Sequence, residues 1–231
     1  MIQLSIVFPV FNEAKNLPHL INSINNASDH NFSTEFIFVD GGSSDGSREL
    51  LDNISKENLS IKLVCSNNSR GYGYDIIEGL NHASGDILAW THADLQTDIN
   101  DVFRAVSKLG SQTKTIVKGK RIRRNILDKL FSLLMEWYVF FKLGVKLDEI
   151  NAQPKVFRRN FYHNLLKKNA PDDFSLDLYL LLVAKKRGYK IQDIPVSFHK
   201  RLFGIAKGGG SLKGKVPLIR RTISYINKTK V

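Results

Sequence analysis

Apolar residues fall in short unbroken runs separated by amphipathic stretches. Residues 4–8, 36–39, 61–65 and 87–91 are apolar runs of strand length. Between them, residues 16–24 place Leu17, Leu20, Ile21 and Ile24 on one helical face. The glycine-rich stretch 40–47 reads as a turn that opens a helix near Ser47. Residues 71–83 read as a third helix, broken at Gly85 before the next strand. Strands alternating with helices predict a parallel sheet with right-handed crossovers. The continuous apolar character of the strands fits a sheet covered on both faces.

The second half is less regular. A helix is expected from Asp98 to about Leu109, then a strand over 115–117 that leads into the basic run 118–124. Residues 127–143 are largely apolar but contain Asp128, Lys129, Glu136 and Lys142, too interrupted for a membrane span. They read as one or two helices, either in the core or dipping into a membrane surface. An extended segment over 152–157, a helix over 174–187 stopped by Gly188, and a strand over 190–196 follow. A basic tail then carries Gly208–Gly210. It ends in an expected helix with Leu212, Val216, Ile219, Ile223 and Ile226 on one side, and Lys213, Lys215, Arg220 and Arg221 off that stripe. The expected division is one domain over 1–210. A basic amphipathic helix over 211–231 completes it.

Charge sharpens this division. Residues 1–103 hold 5 Lys and Arg against 14 Asp and Glu, whereas residues 104–231 hold 29 against 8. An acidic half followed by a basic half implies two tasks, and the basic half would attract phosphates or an anionic membrane. The formal net charge of +12 also raises nucleic acid as a partner. No nucleic-acid fold signature accompanies it, and the ordered motifs lie in the acidic half, so a nucleic-acid-binding protein is the weaker reading. Cys65, the lone cysteine, cannot form an internal disulfide and is expected to be a buried thiol in a reducing cytoplasm. The start, Met-Ile-Gln-Leu, lacks the basic region of a signal peptide.

Candidate chemistry concentrates at 87–98. The strand 87–91 runs directly into His92, Asp94 and Gln96, three polar groups in alternation. A parallel strand delivers such groups to the carboxyl edge of its sheet, where open α/β sheets bind ligands. Asp94 offers hard oxygen ligands suited to Mg²⁺ or Mn²⁺, ions that bridge carboxylates to nucleotide phosphates.

Four blocks in order, 8–13 (FPVFNE), 39–47 (VDGGSSDGS), 83–96 (ASGDILAWTHADLQ) and 188–196 (GYKIQDIPV), resemble the family 2 glycosyltransferases of the GT-A fold. The likeness is nearest to the dolichyl- and polyprenyl-phosphate sugar synthases. The resemblance implies a Rossmann-like, mostly parallel sheet flanked by helices, with a nucleotide-binding half at about 1–100 and an acceptor-binding half at about 101–210. It implies that Pro9, Asn12 and Glu13 line a nucleotide pocket, that Asp40 holds the base, and that Arg70 pairs with the nucleotide. A carboxylate at Asp40 suits the imide N–H of uracil or the N1–H and amine of guanine, so UDP- and GDP-sugars both stay open. The family often carries a second aspartate after Asp40, where this chain has Gly41. Its metal motif is usually Asp-x-Asp; here Asp94 and Gln96 match and His92 takes the first place. Metal coordination, ribose contact and a structural role all stay open for His92.

The resemblance further implies an inverting transfer, with Arg201 and Lys207 in a basic loop closing over the pyrophosphate. With a lipid phosphate as acceptor no strong base is needed, because a phosphomonoester is largely ionised at pH 7. Arg121, Arg123 and Arg124 are the candidate phosphate partners, with Arg158 and Arg159 as further candidates. With a saccharide or lipid-linked glycan hydroxyl as acceptor, a base is needed and Asp177 is the candidate. Asp172 and Asp173 read as helix-capping residues. The expected setting is peripheral contact with an anionic membrane on its cytoplasmic face. A non-catalytic nucleotide-sugar-binding protein is the remaining alternative.

Overall fold

The structure, a computed structural model, describes residues 2–27, 32–66, 68–122, 126–204 and 220–227, with only the backbone described over 126–131. The first half follows the expected alternation: β1 (Leu4–Val10), α1 (Leu17–Asn25), β2 (Thr34–Asp40), α2 (Ser47–Glu57), β3 (Ile61–Cys65), α3 (Tyr72–His82), β4 (Ile87–Trp90) and α4 (Ile99–Leu109). The second half comprises β5 (Thr115–Ile122), α5 (Ile126–Leu143), β6 (Lys155–Arg158), α6 (Arg159–Phe161), α7 (Ser175–Lys186) and β7 (Lys190–Ser197). α6 runs on through a π-helical turn and a 3₁₀ turn to Asn169. A further helical segment covers 220–227.

The seven strands form one sheet in the order β3-β2-β1-β4-β6-β5-β7. β1, β2, β3 and β4 pair in parallel, and so do β5 and β7. β6 alone runs antiparallel to both its neighbours. The sheet is therefore mostly parallel, as the alternation of elements predicts.

Apolar side chains alternate across the strands and build a layer on each face. On one face Ile6, Phe8 and Phe38 meet Leu17, Leu20 and Leu51 from α1 and α2, and Val102 and Val106 from α4. Phe8 and Phe38 stack there with ring centroids 4.8 Å apart. On the other face Val7, Ile37 and Trp90 meet Ile76 and Leu80 of α3, Val139 of α5 and Leu176 and Leu180 of α7. Burying both faces removes a large apolar area from water, which is the main force holding such a sheet.

Three expectations need correction. Cys65 is exposed, not buried, because β3 is the outermost strand of the sheet. The strand expected over 115–117 continues to Ile122, taking in most of the basic run. Its extension pairs with β7, where Lys118 lies opposite Asp193 and the two form an ion pair at 2.8 Å. Finally, β6 ends at Arg158 opposite Ile87, the first residue of β4. Arg158 and Arg159 therefore lie at the amino edge of the parallel strands, where they donate to the carbonyls of Gly110 and Gly85. They are remote from any ligand at the opposite edge.

Candidate active site

The parallel strands deliver their following loops to one edge, and the loops there are tied to one another. Asn12, with φ of 56°, donates its N–H to Ser43 Oγ at 2.9 Å and accepts the Ser44 N–H on Oδ1 at 2.8 Å. Glu13 N–H reaches Ser47 Oγ at 2.8 Å, and Ala14 N–H reaches Asp45 Oδ2 at 3.0 Å. The loops after β1 and β2 thus form one unit. Asn12 and Glu13 sit in it, and Pro9 is half-buried in β1 just before it.

Asp40 closes β2 and is fully buried. Its Oδ1 accepts the Ser43 N–H at 3.1 Å; its Oδ2 accepts from Arg48 Nε at 2.7 Å and the Gly42 N–H at 3.3 Å. Burial alone would raise its pKa, but the bonds from Ser43 and Arg48 outweigh burial and hold it below the ordinary carboxylate range. Both oxygens are thus engaged by the chain's own donors.

After β4, the hydroxyls of Thr91 and Thr97 meet at 3.0 Å and pinch the loop that holds His92, Asp94 and Gln96. Asp94 Oδ1 accepts the Gln96 N–H at 3.1 Å, the single hydrogen bond its carboxylate takes among the described residues. Gln96 exchanges two bonds with His199: the His199 N–H donates to the Gln96 carbonyl at 2.9 Å, and Gln96 Nε2 donates to the His199 carbonyl at 3.2 Å. Two residues on, Arg201 forms an ion pair with Glu13, and burial lowers the guanidinium pKa. Glu13 also accepts from Asn16 Nδ2 at 2.6 Å, and Asn16 Nδ2 lies 3.3 Å from the Phe203 carbonyl. Phe203 stacks on His19 at 5.6 Å. Residues 199–203 therefore make a strap from the β4 loop to the β1 loop.

Beneath His92 lies a buried polar layer. The Tyr72 ring is 5.7 Å from His92 and stacks on Phe174 at 4.5 Å. Tyr72 Oη accepts from Gln153 Nε2 at 2.9 Å, and Gln153 Nε2 also lies 3.0 Å from Asp177 Oδ1. Burial raises the Tyr72 pKa well above its ordinary value, with Asp177 adding to the effect. Asp177 faces Lys155 Nζ at 3.1 Å. Lys155 is fully buried, and burial pushes its pKa down to about 8 against the pull of Asp177. Asp177 is thus sealed by Lys155, Gln153 and Tyr72. The local sequence does not single out Tyr72, Gln153 or Lys155. A lysine beginning an apolar strand is the one local sign of the layer, and it does not reveal the partner.

Other expected residues have partners that the sequence did not indicate. Arg70 pairs with Asp172 at 3.3 Å and lies over the Tyr74 ring at 4.6 Å. Asp173 accepts the Ser175 N–H at 2.8 Å, but the N-cap of α7 is Phe174, which makes no side-chain capping bond, and Asp172 is turned to Arg70, so neither aspartate takes the N-cap place expected of it. Arg121 reaches the carboxyl edge but pairs with Glu149 at 2.6 Å. Arg123, Arg124, Lys207 and Gly208–Gly210 lie outside the described residues, as does most of the 211–231 helix.

The donor chemistry fits a divalent ion. Asp94 is half-buried and keeps lone pairs beyond its one hydrogen bond. Among the described residues no group of three or more His, Cys, Asp or Glu side chains is set to hold a metal. A cation at Asp94 would therefore complete its shell with diphosphate and water oxygens, the pattern usual for Mg²⁺ in nucleotide sites.

The chain is similar to several known proteins. The model of the glycosyl transferase family 2 matches residues 5–169. A dolichyl-phosphate beta-glucosyltransferase of Trichomonas vaginalis is 27% identical, over 97% of this chain and 74% of that protein. An undecaprenyl-phosphate 4-deoxy-4-formamido-L-arabinose transferase of Salmonella choleraesuis is 28% identical, over 89% of this chain and 62% of that protein. The chain thus spans less than two thirds of the second relative's length. Glucosyl-3-phosphoglycerate synthase from Mycobacterium tuberculosis, solved with UDP, superposes with a TM-score of 0.73 at 20% identity, over 97% of this chain and 78% of that one. The same enzyme solved with Mn²⁺, UDP and glucosyl-3-phosphoglycerate gives 0.73 at 19% identity, over 96% and 77%. At these identities the solved structures speak for the fold. With the family model spanning most of the sheet and every loop of its first half, the chain belongs to glycosyl transferase family 2.

Proposed function

We propose that this edge binds a UDP- or GDP-sugar and transfers the sugar, with inversion, to a polyprenyl- or dolichyl-phosphate acceptor. The carrying observation is the position of Asp94. Its carboxylate lies in the loop that follows the central strand β4, keeps oxygen lone pairs available, and lies beside a strap that brings Arg201 to Glu13. Asn12, Glu13 and Pro9 line the nucleotide side of the same edge. A divalent cation held by Asp94, with Gln96 and His92 alongside, would offset charge on the leaving diphosphate.

In the transfer, an acceptor phosphate oxygen bonds to the anomeric carbon as the bond from that carbon to the nucleotide diphosphate breaks. The electron pair leaves with the diphosphate. Arg201 sits where it can balance that charge, with Lys207 a few residues further along the same segment. An ionised phosphate needs no general base, but it does need cations. Arg121 supports this role at the edge of the sheet, with Glu149 as the partner a phosphate would displace; Arg123 and Arg124 follow directly in sequence.

The alternative of a saccharide hydroxyl acceptor requires an accessible base. Asp177 is 1% exposed and bonded to Lys155 and Gln153. That environment supports a positioning role for Asp177 under His92 and favours the lipid-phosphate acceptor.

Contact with a membrane surface is supported by α5. Leu133, Leu134, Trp137, Phe140 and Phe141 fall on one face of this helix and are all exposed. Val139 and Leu143, on its other face, are buried. Among the described residues no helix is long and apolar enough to cross a membrane. An exposed aromatic and aliphatic face in a strongly basic half suits the interface of an anionic bilayer, with the enzyme peripheral on its cytoplasmic side.

The test is transfer of radiolabelled sugar from UDP- and GDP-sugars to polyprenyl phosphate, with and without EDTA. Metal-dependent formation of a lipid-phosphate sugar is expected. Equal rates with EDTA would remove the metal, and transfer only to saccharide acceptors would remove the lipid phosphate.

A further inference from the structure

The turn after β2 holds a buried acid that the transfer as described leaves unused. Asp75, on the first turn of α3, is 5% exposed. Its Oδ1 has no hydrogen-bond partner among the described residues, and neither has the buried hydroxyl of Ser66 at the end of β3. The carboxylate occupies space left by the missing side chain of Gly41. A Cβ on Gly41 would lie 2.6 Å from Asp75 Oδ2 and 3.2 Å from Ser69 Oγ. Asp75 thus projects from α3 into the place directly after Asp40.

An orphaned acceptor in such a place is costly. A buried polar atom without a partner forfeits the hydrogen bonds it made to water in the unfolded chain. Burial pushes the Asp75 pKa up to about 6, and the neighbouring charges of Asp40 and Glu78 add to this against the nearby hydroxyls of Ser69 and Ser66. Asp40, in contrast, has both oxygens engaged by Ser43, Gly42 and Arg48. It has no oxygen left that is not already bonded within the chain.

From these contacts we infer that Asp75, and not Asp40, reads the nucleobase of the donor, accepting a ring N–H of uracil or guanine on its orphaned oxygen. Asp40 then serves to shape the turn that presents the pocket. The position suits this. Asp75 abuts the end of β2, and Asp94 follows β4, two strands away in the sheet order. Two strand spacings are roughly 10 Å, a separation that a ribose bridges between base and diphosphate. A site whose buried acceptor awaits one N–H discriminates strongly against a base that lacks it. This inference rests on the nucleotide-sugar reading of the edge.

The experiment is calorimetric titration of UDP and GDP, with Mn²⁺, into wild-type protein and into Asp75→Ala, Asp75→Asn and the double variant Gly41→Asp with Asp75→Ala. N3-methyl-UDP and N1-methyl-GDP serve as probes that lack the N–H. Wild-type protein is expected to bind one of the two nucleotides and to bind its methylated form about tenfold or more weakly. Asp75→Ala is expected to bind the parent nucleotide about tenfold or more weakly and to lose the discrimination against methylation, while its melting temperature stays level or rises. The double variant returns a carboxylate to the same space from the other side and is expected to regain part of the affinity. Unchanged affinity in both Asp75 variants, or wild-type protein indifferent to N-methylation, would overturn the inference alone. Wild-type protein that binds neither nucleotide would overturn the transferase reading, and this one with it.

Discussion

Lys155 Nζ lies 3.1 Å from Asp177 Oδ1, and neither side chain reaches solvent. The lysine begins β6 and the acid opens α7, so the pair fastens the helix layer to the sheet directly below the His92 loop. Lys155 also donates to the carbonyls of Ile150 at 2.9 Å and Ala152 at 2.7 Å. All its donors are therefore used, which is what makes a buried ammonium tolerable.

Removing one member of this pair leaves the other charged and buried. Lys155→Met is expected to cost about 3–5 kcal/mol of stability. Adding Asp177→Leu to it should recover part of that loss, since no charge is then left alone. Urea unfolding of the three proteins measures this. Equal stability for wild type and Lys155→Met would show that the pair contributes nothing.

Asp94→Asn keeps the size of the side chain and the bond from the Gln96 N–H but removes the negative charge. Its half-buried position predicts little change in melting temperature. Transfer should fall by about 100-fold or more, the scale on which transition-state charge stabilisation is usually lost. Initial rates at saturating donor, beside a melting curve, separate the two effects.

Glu35 braces the opposite part of the sheet, accepting from Ser5, from the Ser84 N–H at 2.6 Å and from Lys62 at 2.6 Å. Burial works against its charge, but the bonds from Lys62, Ser5 and Ser84 prevail and bring its pKa down to about 2. A depressed carboxyl pKa means that the folded state holds fewer protons than the unfolded chain. Its stabilisation is fully present above the ordinary value of 4.5 and is lost as pH falls from there towards 2. Melting temperatures from pH 7 to pH 3 should therefore drop more steeply for wild type than for Glu35→Gln, which starts lower. Parallel curves would count against this account.

The exposed face of α5 predicts a lipid phenotype without a folding phenotype. Trp137→Ser with Phe141→Ser removes two side chains that are 64% and 74% exposed. Co-sedimentation with vesicles containing anionic lipid should weaken about tenfold or more, with the melting temperature held. Wild-type protein that ignores such vesicles would refute the membrane face directly.

Gly119 leaves no room for a side chain. A Cβ there would lie 1.9 Å from the Gln153 carbonyl oxygen, on the loop that feeds the buried layer. Gly119 N–H also donates to the Pro154 carbonyl at 2.9 Å, so the strand cannot move away freely. Gly119→Ala is expected to destabilise by roughly 2 kcal/mol or more and to lower transfer by displacing Gln153. Denaturation and rate measurements on the one variant test both.

Much of this architecture was legible in the chain itself. Apolar runs of strand length, amphipathic stretches between them and glycines at the turns are local signals, and they located β1 to β4 and the helices joining them. The same locality placed His92, Asp94 and Gln96 after β4, because a parallel strand must deliver its next residues to the carboxyl edge. What the chain could not express is which strand lies beside which, and in what direction. The reversal of β6 sent Arg158 and Arg159 to the far edge, and the outermost place of β3 exposed Cys65. Arg70 met Asp172, Lys155 met Asp177 and Asp75 filled the space beside Gly41 for the same reason. Each of these pairs joins residues distant in sequence, and only packing of the finished sheet and its helices decides which charge meets which partner.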